Sequence, residues 1–123
     1  EKSAAARLAR PLEDQIYGLF RAYFQTAERT RQWNVWTAID WNEAASSASP
    51  ELLSEVLQAY RESLFLPDYS AHALHSLRSS RGRSWFLTRW SYEEGKHVLA
   101  LHEWLLRTGN LSDDTLRDYA DAL

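Results

Sequence analysis

Apolar residues recur at intervals of three and four along most of the chain, the spacing of one face of an α-helix. Leu12, Ile16, Leu19, Phe20, Tyr23, Phe24 and Ala27 make the first such stripe. They predict a helix to about Arg31, with Pro11 in its first turn, Glu13 and Asp14 near its positive end, and Ser3–Arg10 as an Ala- and Arg-rich lead-in. Trp33–Glu43 breaks the period and sets Trp33, Trp36 and Trp41 among polar residues. Such a segment is expected to pack on the body with its indole N–H groups partnered, or to form a wall of an apolar tunnel. Ala44–Ala48 is a small-residue linker, and Ser49, Pro50 and Glu51 supply a cap, a first-turn Pro and an early acid for the next helix. Leu53, Leu57, Tyr60, Leu64, Asp68, Ala71 and His75 then keep one face to about Arg78. Pro67 lies inside that run and must kink or divide it, because its ring meets the preceding turn and a backbone donor is lost.

Ser79–Gly82 is a short polar connection, so the helices on either side are expected to be antiparallel neighbours. The second of them is predicted from Arg83 to Arg107 with Gly109 as its stop, and Ser112, Asp113 and Asp114 open a further helix. No segment reads as strand. The fold expected is all-α: a long antiparallel helix hairpin preceded by an N-terminal helix.

Composition narrows the chemistry. With 123 residues the chain makes one small domain, 1–123, and a net charge of -3 without a Lys/Arg block gives no reason to expect nucleic acid. No apolar run approaches a membrane span and no signal-peptide pattern is present, which points to the cytoplasm. The lack of Cys excludes thiolate sites and Cys nucleophiles, leaving carboxylate and imidazole as metal ligands and favouring iron, manganese or zinc. The sequence also holds no Met, at position 1 or elsewhere, so residues are expected to be missing at the front and the chain to be a piece of a larger protein, read as the N-terminal part of a larger domain.

One stretch of the hairpin carries the chemistry. Glu94 and His97 stand three residues apart, close enough on a helix to converge on one point, amid Trp90, Val98, Leu101, Trp104 and Leu105. Burying such a pair is unfavourable without a partner, and a metal ion is a suitable one. The alternative is a pair at the edge of the apolar stripe, satisfied by water or Arg. With the hairpin centred near Ser80 and Arg81, the residue level with Glu94 is Pro67 or Asp68, and Asp68 also lies on the stripe of Leu64, Ala71 and His75. Asp68 is therefore the expected second carboxylate, with Glu62 as the fallback. His72 and His75 share faces with Asp68 as further ligands, supporting groups or ordinary satisfied histidines. Glu28, one turn past Phe24, either reaches a site or is solvated or paired with Arg, with Arg29 and Arg31 nearby.

Arg89-Trp90-Ser91-Tyr92-Glu93-Glu94-Gly95-Lys96-His97 resembles the Arg-Trp-Thr-Ala-Glu-Glu-Asn-Arg-His segment of the soluble acyl-carrier-protein desaturases, members of the ferritin-like di-iron superfamily. Leu105–Asp113 is similar to the turn that comes next in that family, and Leu53–Val56 to the opening of the preceding helix. The resemblance implies half of a four-helix di-iron bundle in which each half gives one carboxylate and one Glu-x-x-His. Carried over, Glu94 and His97 are iron ligands and Asp68 stands where the family has Glu, one methylene longer. Gly95 replaces the family's Asn.

The same resemblance implies a di-iron, dioxygen-dependent oxidoreductase, with two irons or manganese, acting on an apolar acyl substrate carried on acyl carrier protein. An electron donor such as ferredoxin and a homodimer are also implied. The chain offers one Glu-x-x-His where a two-metal centre takes two, so the second set is expected from a downstream half or from another chain. Two other readings stand beside this one: a ferritin-like iron-oxidising or storage protein with its site between subunits, and a metal-free helical interaction module.

Overall fold

The computed structural model describes residues 4–46, 48–108 and 111–123, and among them every regular element is a helix. These are α1 (Ala4–Thr30), α2 (Trp41–Ser46), α3 (Pro50–Ser63), α4 (Leu66–Ser76), α5 (Arg81–Arg107) and α6 (Asp113–Asp121). The all-α expectation holds. Gly109, the expected stop of α5, lies outside the described residues.

Three boundaries differ from expectation or sharpen it. α1 continues to the N-terminal side of Pro11, so this Pro sits inside the helix, not in its first turn. The end of the Trp segment and the start of the small-residue linker form the short helix α2. Asp40 accepts from the Glu43 amide at 3.3 Å ahead of it, and Trp41 donates its indole N–H to the Val35 carbonyl at 2.9 Å. Pro67 divides the run after Ser49 into two helices: α3 closes with the Leu64 amide on the Tyr60 carbonyl at 3.1 Å, and α4 restarts at Leu66. Pro67 then stands in the first turn of α4, where a helix needs no donor from it.

The chain forms two compact units, one made of α1 and the chain to Gln32 with Asp68–Tyr92, the other of Trp33–Pro67 with Glu93–Leu123. In the first, α1 and the start of α5 approach so closely that a Cβ on Gly82 would lie 2.8 Å from the Tyr17 amide nitrogen and 2.9 Å from Ile16 Cγ2. Glu13 fixes this corner. Its carboxylate accepts from Ser80 Oγ at 2.5 Å and from Arg83 at 2.7 Å, beside the amide end of α5 where negative charge is favoured. Edge-on pairs continue the contact, Tyr17 with Trp85 at 5.8 Å and Tyr23 with Phe86 at 5.1 Å, and Arg81 stacks 3.6 Å above Tyr17. Ser91 donates to Ser70 at 3.2 Å, which sets α5 against α4 with the turn centre between residues 80 and 81, as the hairpin count predicts.

The second unit has the deeper core. Leu105 and Leu116 are wholly buried and Tyr60 nearly so, with Leu53, Val98 and Leu101 packed against them. The Ser112 hydroxyl accepts from the Thr115 amide and starts α6, which carries Leu116 into that core. Tyr60 lies 5.7 Å from His102, so this unit repeats the same antiparallel register between α3 and α5.

Candidate functional site

α5 brings Glu94 and His97 into contact as their spacing predicts: Glu94 Oε1 lies 3.3 Å from His97 Nδ1. Two ligand atoms each about 2.1 Å from one ion, at roughly right angles, stand about 3 Å apart, so the pair has the spacing of adjacent ligands. On its open face the imidazole stacks on Trp33 at 6.1 Å with the planes 20° apart. Lys96 donates to the Trp33 carbonyl at 2.9 Å and lies 5.5 Å above its indole, tying the segment before α2 to the same turn of α5.

The pair is less enclosed than expected. The Glu94 side chain is 33% exposed and that of His97 57%. The reason is rotational: Val98, Leu101 and Leu105 meet the core, and one turn back along that stripe stands Glu94, whereas His97 falls to one side of it. The acid that the fold buries is Glu93, 8% exposed.

The other sequence candidates fall elsewhere. Asp68 stands exposed in the first turn of α4, within the unit built on α1, where His72 and His75 are exposed on the same helix. Glu62 is exposed near the end of α3 and accepts from Gln58 at 3.2 Å. Glu28 takes its Arg from across the helix pair, ion-paired to Arg89. Among the described residues no group of three or more His, Cys, Asp or Glu side chains is gathered as metal ligands would be.

A second polar cluster, Tyr60, His102 and Asp113, escaped sequence reasoning. His102 Nε2 faces Asp113 Oδ1 at 3.3 Å and its ring packs beside Tyr60. Burial, and then the Asp113 charge, raise the Tyr60 phenol above its usual pKa of 10.0, which keeps the hydroxyl protonated. The hairpin count that selects Asp68 opposite Glu94 would also have set Tyr60 opposite His102.

Comparison with known protein families, with curated proteins and with solved structures gives no match. No helix among the described residues is long and apolar enough to cross a membrane.

Proposed function

We propose that this chain is half of a ferritin-like di-iron centre, in a cytoplasmic, dioxygen-dependent oxidoreductase resembling the acyl-carrier-protein desaturases. The observation that carries the reading is the 3.3 Å approach of Glu94 Oε1 to His97 Nδ1 on one turn of a 27-residue helix. These donors suit iron, with manganese as the alternative, since both are hard or borderline oxygen and nitrogen atoms. Glu94 and His97 would hold the metal through the carboxylate and imidazole that face each other. Bound iron would supply dioxygen activation, with dioxygen the oxidant of an acyl substrate presented on acyl carrier protein and a ferredoxin-type donor giving the electrons. Trp33 covers one face of His97 and limits its rotation, while Lys96 holds Trp33 in place. The remaining ligands come from a second Glu-x-x-His, in further chain or in a homodimer partner.

A metal-free interaction module is the second reading, favoured by the large side chains exposed on α1 and early α5: Leu12, Leu19 and Phe24 with Trp85, Phe86 and Tyr92.

Anaerobic iron reconstitution followed by metal analysis tests the first reading. Each centre should take up about two ions, as ferritin-like carboxylate sites do. Glu94→Ala should abolish this uptake while leaving the thermal midpoint of the metal-free protein within a few degrees. A protein that stays metal-free under iron and manganese, and is indifferent to Glu94→Ala, would leave the interaction module standing.

A further inference from the structure

In the second unit, α3, the start of α4 and α5 border a cavity of about 400 Å³ that contains neither Glu94 nor His97. That volume lies within the range of small-molecule pockets, about 300–1,000 Å³. The antiparallel register sets Gly95 with Pro67 toward one end and His102 with Tyr60 toward the other; Leu64 and Leu99 lie along the length.

Gly95 is the first sign that this space is kept open. A glycine inside a helix weakens it relative to alanine and is usually tolerated for close packing, as at Gly82. At Gly95 the opposite holds: no neighbouring atom lies within 4 Å of the place a Cβ would occupy. The missing side chain therefore leaves room in the cavity and relieves no clash.

The polar end supplies the second, independent sign. Tyr60 is only 4% exposed, and its hydroxyl has no hydrogen-bond partner among the described residues. It is not sealed in, because among the described residues no enclosed side-chain oxygen or nitrogen lacks a partner. Tyr60 lines the cavity, so its phenol is a donor free for a ligand there. His102 turns Nε2 toward Asp113, so Nδ1 is the ring nitrogen left for a ligand. A phenol and an imidazole nitrogen at the head of an apolar trough match a hydroxyl, which can accept from one and pair with the other in either role. A carboxylate would meet the negative charge of Asp113 behind His102.

We propose that this cavity binds a small neutral amphiphile, an aliphatic chain ending in one hydroxyl, with the hydroxyl between Tyr60 and His102 and the chain running over Gly95. The site is separate from the proposed metal ligands and stands whether or not they bind metal. The probe is 1-octanol, titrated into the full chain by calorimetry and followed by amide chemical shifts, with octanoate as the charged counterpart. Octanol should saturate a single site and shift the amides of α3 and of Gly95–His102, and octanoate should bind about tenfold more weakly or worse. Gly95→Leu fills the trough and should abolish binding while the melting temperature stays level or rises. Tyr60→Phe should weaken octanol by up to about tenfold, the loss of one hydrogen bond. Leu99→Trp, placed on the partly open wall, should also block the chain, and serves if Gly95→Leu does not fold. Undiminished octanol binding in a folded blocking variant, equal affinity for octanoate, or no saturable binding to the native chain would overturn the proposal.

Discussion

The two units solve the same problem by different means. The one built on Tyr60, Leu105 and Leu116 closes around an apolar centre reached from α3, α5 and α6. The one built on α1 buries a single hydrophobic residue, Ala27, among its described side chains. It relies instead on an interlock of Gly82 against Tyr17, a carboxylate held by Ser80 and Arg83, and edge-on aromatic pairs that stay partly open to water. Burial of apolar area stabilises without regard to direction, whereas a close helix contact depends on a few atoms being small enough. The first arrangement should therefore lose stability in proportion to volume removed, and the second through volume added.

Leu105→Ala is the strongest test of that contrast. A wholly buried leucine truncated to alanine should cost about 2–5 kcal/mol. Urea unfolding measures the loss, and hydrogen exchange should show it first in α3 and α6. Equal loss of protection in α1 would mean that the units do not differ as described. In the other unit Gly82→Val, which drives a side chain into the α1 backbone, should cost about 1–3 kcal/mol, with the exchange loss centred on Ile16 and Tyr17. A neutral outcome would show that α1 moves away without penalty.

The smallest effect appears only in alkali. Because the folded state holds the Tyr60 phenol above its ordinary value of 10.0, its contribution is present below that pH. It is lost as pH rises from there through the folded-state value, since the unfolded chain releases its proton first. Tyr60→Phe should flatten the fall in stability above pH 10, read as the melting temperature against pH; an unchanged slope would detach the phenol from the core's pH response.

Legibility in the sequence depends on the range over which each signal acts. Helical periodicity and the short connection before Gly82 gave the hairpin and its register, and Ser70 against Ser91 lies where a turn centred between residues 80 and 81 puts it. Pro67 announced the break between α3 and α4 through its own covalent geometry. α2 was not visible, because its start depends on Asp40 capping and on the bond from Trp41 to Val35, neither of which leaves a periodic trace. At the candidate site, local spacing was enough to bring Glu94 to His97. It was not enough to fix how far either is buried, which depends on the rotation of α5 against its core. His102 went unread because its partner Asp113 lies on α6, beyond the reach of any pattern within one helix.

Gly82 and Gly18 are identical residues with opposite evolutionary prospects. Nothing lies within 4 Å of a Cβ added at Gly18, so descendants of this sequence can take alanine there and gain helix stability. At Gly82 every added carbon meets the backbone of α1. In a lineage that keeps this pairing of α1 with α5, that codon should be among the slowest to change, without any ligand or reaction needing it.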